Sequence, residues 1–172
     1  GQWYPGDYSN LIIGQGDVLV TPLQEAVAFG AVATGKSHVP HLLKEVRNSA
    51  GQNAILGKDK LSETQPEYTE GNIDIVRADL RNANVNSAAF QDTVLQAAGK
   101  SGTGETGRED KDDYGWYTGY APYDDPKYCV SCCIEQAGGG TAFCGPVVRY
   151  VLAKLLGISE EKIDLVELPE DH

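Results

Sequence analysis

The sequence contains no methionine and only three histidines. No apolar run approaches the roughly 18 residues needed to span a bilayer. No signal peptide opens it. The chain starts abruptly at "GQWYPGDYSN" and reads as a piece cut from something longer. Basic residues are scarce: 14 Lys and Arg face 25 Asp and Glu, for a formal net charge of −11. That argues against nucleic acid as a partner, because phosphate binding needs a basic footprint. It argues equally against an anionic membrane surface. The acidity reads as solubility.

Metal-ligand spacing is lacking too. The cysteines are Cys129, Cys132, Cys133 and Cys144. "CVSCC" contains a Cys-x-x-Cys, but it lies in "KYCVSCCIEQ", a β-like run. Strand residues three apart point to opposite faces, so Cys129 and Cys132 do not converge on one metal. No second Cys or His pair stands at ligand spacing. The cysteines read as small buried hydrophobes. A Cys133–Cys144 disulfide stays open at this level. No metal and no cofactor is expected.

What is present suits one domain. A chain of 172 residues can bury roughly 70% of its unfolded surface. In "VTPLQEAVAFGAVATGK", Thr21 is the expected N-cap, Pro22 the first helical residue and Gln24 the partner in a capping box. Leu23, Ala26, Val27, Gly30 and Ala31 form its packing stripe, and Gly35 ends it. "HLLKEVRN", "SAGQN" and "AILGK" read as a short hairpin. "DKLSETQPEYTEG" reads as a polar surface loop. In "EGNIDIVRADLRNAN", Ile73, Val76 and Leu80 fall at helical spacing. "VNSAAFQD" reads as irregular.

Three strands are expected next: "AGKSGTGE", "YGWYTGYAP" and "KYCVSCCIEQ". The connections "TGREDKDD" and "YDDP" are short and polar, which makes an antiparallel meander. "AGGGTAFCGPVVRYVLAKLLG" then reads as a helix capped by Thr141. Its apolar stripe is Val147, Val148, Val151, Leu152 and Leu155, and Gly157 stops it. The order is helices, then sheet, then a helix. That predicts an α+β fold with the last helix laid on the sheet. Residues 158–172 form an acidic tail.

"QAAGKSGTGE", Gln96 to Glu105, is the most informative stretch. Gly99-Lys100-Ser101 matches the tail of a phosphate-binding loop. That loop needs a glycine at position 94, where Val stands, and a helix directly after the Lys-Ser. Both are missing. A calcium loop starting at Asp110 fails likewise, since Tyr114 and Ala121 occupy positions that need oxygen ligands. His38 and His41 beside Pro40 read as structural. Ser159-Glu-Glu-Lys162 has the Ser-x-x-Lys spacing of some acyl enzymes. Its setting, after the last helix and with two glutamates in a first turn, reads as a helix cap.

A Lys-Ser-Gly-Thr on a strand does different work in serine acyl-transferases of the penicillin-recognising type. The lysine sets a positive charge near a carboxylate, the hydroxyls bond it, and the glycine lets a backbone approach. Other blocks agree. "LIIGQGDVLVTPLQEAVAFGAVATGK" and "PHLLKEV" resemble the region before that motif in penicillin-binding proteins. "AAGKSGTGE" resembles the motif itself, and "WYTGYAP" and "GGGTAFCGPVVRYVL" resemble the segments after it. Order and spacing agree over nearly all of residues 8–157. The blocks most resemble class B members, the monofunctional D,D-transpeptidases.

The resemblance implies a β-lactamase-like fold, with a five-stranded antiparallel sheet, helices on both sides and a helical lobe over the cleft. It implies acyl transfer from a D-Ala-D-Ala stem peptide through a serine acyl-enzyme, which β-lactams also form. By resemblance, Lys100 is the lysine of the third motif, giving charge and helping to shuttle a proton. Ser101 and Thr103 hydroxyls hold the substrate carboxylate. The Thr103 backbone N–H is one of two oxyanion donors. Gly102 keeps the strand edge clear. The Ile-Gly-Gln-Gly and Thr-Pro-Leu-Gln pieces look architectural.

The sequence departs from the family in what it omits. It has no Ser-x-Asn, and its only Ser-x-x-Lys is the one at Ser159. Nucleophile, base and half the oxyanion hole are therefore expected elsewhere, in over ~100 further residues. Residues 1–172 are expected to be the C-terminal portion of a transpeptidase domain, inactive alone. The missing strands would pair beside "KYCVSCCIEQ", so the edge 127–135 is expected to invite self-association. The resemblance also implies an N-terminal membrane anchor and an extracytoplasmic site. The rival readings are a β-lactam sensor, a D,D-carboxypeptidase, or a non-catalytic scaffold of wall synthesis.

Overall fold

A computed structural model describes residues 2–16, 18–42, 46–55, 63–69, 71–90 and 94–159. The elements in order are α1 (Pro5–Ile12), α2 (Pro22–Thr34), β1 (Ser37–His38), β2 (Val46–Arg47), β3 (Asn53–Ile55), β4 (Glu63–Thr64), α3 (Asn72–Val85), a 3₁₀ turn (Ala88–Phe90), β5 (Ala98–Gly104), β6 (Tyr114–Ala121), β7 (Tyr128–Ile134) and α4 (Gly140–Leu155). The fold is α+β, as the element order predicts. The tail beyond residue 159, including Lys162, lies outside the described residues.

The expected meander is present. β5, β6 and β7 form one antiparallel sheet in that order. Lys100 stands opposite Thr118, Ser101 opposite Tyr117 and Thr103 opposite Gly115. Tyr117 in turn faces Cys132, and Tyr120 faces Cys129. Alternation divides these side chains between two layers. On one face, Tyr117, Val130, Cys132 and Ile134 pack with Cys144, Val148 and Leu152 of α4. On the other, Tyr120 and Cys129 pack with Ala98 and with Ala33 of α2.

Local chemistry sets the helix ends as expected. The Thr21 side chain accepts from the Gln24 N–H, and the Gln24 side chain accepts from the Thr21 N–H. Gly35 ends α2 in the left-handed region, at φ 74°. The hairpin at 46–55 is present, with a register shift between Val46 and Arg47.

Several expectations are corrected. Thr141 is not the N-cap of α4: Gly139 is, and the helix starts at Gly140. The reason is steric. A Cβ on Gly140 would overlap the carbonyl oxygens of Trp116 and Gly102, so the first turn must present bare backbone to the sheet. Val147 and Leu155 are exposed, not buried. The packed face runs through Cys144, Val148 and Leu152, with Ala153 beside it, because small residues let the helix lie close. In α2, Leu23 is exposed, while Ala31 and Ala33 are buried. "VNSAAFQD" is not wholly irregular. Its 3₁₀ turn sends Ala89 and Phe90, each 3% exposed, into the α4-side core. The polar stretch before α3 also supplies β4, which pairs with β1.

Among the described residues, no helix is long and apolar enough to cross a membrane.

Candidate active site

The residues singled out in sequence, Lys100, Ser101, Gly102 and Thr103, lie consecutively on β5. β5 pairs with β6 on one side only among the described residues, so its outer edge carries unpaired backbone groups. Lys100, Gly102 and Thr103 are exposed and Ser101 is half-buried. The Lys100 ammonium donates to the Ser101 carbonyl oxygen at 2.6 Å. Lys100 and Ser101 leave opposite faces of the strand. The amine is therefore not placed as a base for the neighbouring hydroxyl.

Gln15, in "IGQG", reaches this strand. Its side-chain amide donates to the Thr103 carbonyl oxygen at 3.2 Å. In a strand the N–H and C=O of one residue point to the same side. The Thr103 N–H therefore opens where Gln15 approaches. In sequence, Gln15 looks merely architectural. Its contact with Thr103 is a long-range hydrogen bond that leaves no periodic trace there.

Lys100 and Ser101 line a cleft of about 350 Å³ with Tyr117, Ser87 and Thr141. Beneath it, Tyr117 is 2% exposed and stacks on Phe90 with ring centroids 5.0 Å apart. The Tyr117 hydroxyl donates to the side-chain oxygen of Asn84, which is fully buried at the end of α3. Burial pushes the Tyr117 phenol well above its ordinary range, and the Ser87 hydroxyl pulls modestly the other way. The phenol therefore stays neutral and donates. Arg81 adds a second tie from α3, donating to the Ala97 carbonyl oxygen at 2.6 Å. α3 thus fixes both the root of β5 and the residue opposite Ser101.

The other candidates lie apart. His38 lines a different, largely apolar cavity of about 370 Å³ between α2 and β7, with Tyr128 and Cys129. Ser159 comes after α4 and does not line the cleft. All four cysteines are free thiols, and Cys132, not Cys133, packs against the cluster that holds Cys144. Burial pushes Cys129 up to about 12, with the Glu25 carboxylate adding to it. Cys144 also rises to about 12, by burial and then by its Cys132 neighbour. Such thiols are neutral at physiological pH and poor metal ligands, and they react only through a small thiolate fraction. No group of three or more metal-ligating side chains occurs among the described residues.

Lys100 and Ser101 line the cleft, while Gly102 and Thr103 continue the exposed strand beyond its lining. This arrangement suits an extended peptide ending in a carboxylate.

The family model described as "Penicillin binding protein transpeptidase domain" matches residues 2–156. The peptidoglycan D,D-transpeptidase MrdA of Haemophilus influenzae is 31% identical over 189 residues, covering 97% of this chain and 28% of that protein. The peptidoglycan D,D-transpeptidase PbpA of Mycolicibacterium smegmatis is 32% identical, over 84% of this chain and 31% of that one. The crystal structure of Pseudomonas aeruginosa PBP2 in complex with WCK 5153 superposes with a TM-score of 0.73 at 26% identity. That match covers 98% of this chain and 38% of the other. The chain therefore spans under two-fifths of these relatives.

Proposed function

This chain belongs to the penicillin-binding protein transpeptidase family, and we propose that it is the C-terminal portion of a peptidoglycan D,D-transpeptidase domain. The reaction is acyl transfer from a D-Ala-D-Ala stem peptide through a serine acyl-enzyme, which a β-lactam also forms. Lys100 supplies positive charge beside the substrate carboxylate and takes part in proton movement. The Ser101 and Thr103 hydroxyls bind that carboxylate. The Thr103 N–H is one oxyanion donor. Gly102 leaves room for the peptide along the edge of β5. The attacking serine and its base come from a part of the domain outside residues 1–172. The site works on the extracytoplasmic face of a bacterial membrane.

One observation carries this reading: Lys100-Ser101-Gly102-Thr103 lies on the open edge of β5, inside the matched segment. A fluorescent penicillin tests it. The 172-residue chain is expected to stay unlabelled, while the longer natural polypeptide is labelled at one serine outside residues 1–172. Stoichiometric labelling of a serine within the chain overturns the division of labour. Failure of the longer polypeptide to label favours a non-catalytic wall-synthesis module instead.

A further inference from the structure

The transpeptidase reading uses none of the four free thiols. Two of them meet across a helix–strand joint. Cys132 of β7 packs against the buried cluster that contains Cys144, Tyr117 and Val148. Cys129 points to the other face, with Ala33 and Tyr120, and Cys133 shares its parity. Cys144 sits early in α4, is fully buried, and donates from Sγ to the Gly115 carbonyl oxygen at 3.1 Å. The helix lies close at this point. A Cβ on Gly115 would stand 2.9 Å from the Gly139 carbonyl oxygen. Across the joint, Cys132 is the side chain that, after burial, most raises the Cys144 thiol. Disulfides need two side chains that face each other over a short backbone separation. Of the three cysteines on β7, Cys132 is the one that packs against the cluster holding Cys144.

We propose that Cys132 and Cys144 form a disulfide that staples α4 to β7. The oxidant is a disulfide donor, either a small-molecule disulfide or the disulfide of a thiol-oxidase protein. Cys132 is half-buried and reacts first. Its thiolate attacks the donor, which makes a mixed disulfide and expels one donor thiolate. The Cys144 thiolate then attacks the Cys132 sulfur, closes the bond and expels the second donor thiolate. The two cysteine protons end on the two released donor thiols. The staple fixes the start of α4, whose Gly140 rests on the Gly102 carbonyl oxygen behind the Lys100–Thr103 strand. The proposal stands on packing within this chain and does not require the transpeptidase reading.

Oxidised glutathione on the reduced chain tests it. Free thiols are then alkylated and the protein is cleaved after Glu135, which separates Cys144 from the other three cysteines. The expected product has lost two hydrogens, carries a Cys132–Cys144 crosslink, and keeps Cys129 and Cys133 alkylated. The crosslink persists in Cys129→Ser and Cys133→Ser and disappears in Cys132→Ser. It raises the melting temperature by roughly 6–12 °C, reversibly with a reducing thiol. Four alkylated thiols, a stable glutathione adduct at Cys132, or a bond through Cys129 or Cys133 would each overturn the proposal.

Discussion

The side-chain amide of Gln15 donates to the carbonyl oxygen of Thr103 at 3.2 Å, joining residues 88 positions apart. It anchors the end of the strand whose Thr103 N–H the proposed mechanism uses. Gln15→Ala removes that anchor. In the intact domain, penicillin acylation is expected to slow roughly 3–10-fold, the equivalent of one hydrogen bond. The melting temperature should barely move. An unchanged acylation rate would detach Gln15 from the site.

Tyr117 links the strand facing Ser101 to α3. Tyr117→Phe keeps the ring stack on Phe90 but leaves the buried Asn84 oxygen without its donor. The expected cost is about 1–3 kcal/mol in urea unfolding. Loss below a few tenths of that would mean that Asn84 finds another donor.

Gly140 and Thr141 separate a packing demand from a capping one. Gly140→Ala pushes a methyl into the backbone oxygens of Trp116 and Gly102, which cannot swing aside. It is expected to destabilise by roughly 2–4 kcal/mol. Thr141→Ala is expected to fall within about 0.5 kcal/mol, because Thr141 caps nothing. Thermal melts of both variants check the contrast. Equal effects would contradict the helix start at Gly140.

Cys129 predicts an alkaline limit. Its thiol is raised from 9.0 to about 12 by burial, aided by Glu25. The folded state therefore prefers the neutral thiol more strongly than the unfolded state does. That contribution is whole below pH 9 and is lost as pH rises from 9 through about 12. Cys144 adds to the same window. Urea midpoints should fall with rising pH across it. The fall should be shallower in Cys129→Ala, and equal slopes would contradict the assignment.

β7 pairs with β6 alone among the described residues. The chain by itself is expected to self-associate through residues 127–135 as concentration rises. Sedimentation velocity checks this. A strict monomer at high concentration contradicts it.

Where local chemistry decides an element, the sequence is readable. Thr21, Pro22 and Gln24 mark a helix start by their own hydrogen bonds. The short polar connections dictate an antiparallel meander whatever lies around it. The Lys100–Thr103 motif stands out because its strand and its neighbours occur in family order. Other features depend on contacts distant in sequence. α1 buries no residue, so no apolar stripe marks it. The β1–β4 ladder is two residues long, too short for an alternating pattern. The face that α4 buries is chosen by the close approach at Gly140, not by the largest side chains. Gln15 at Thr103 and Asn84 at Tyr117 are tertiary hydrogen bonds, which composition and periodicity do not encode.

The central claim is that Lys100 works in the wall of an acyl-transfer cleft. Its most direct test is the rate of acylation by a fluorescent penicillin in the full polypeptide, native against Lys100→Ala, with matched melting temperatures. The account predicts a fall of at least about 100-fold, the scale of losing one preorganised electrostatic contact at an acyl-transfer centre. An unchanged rate in a folded Lys100→Ala protein would contradict it.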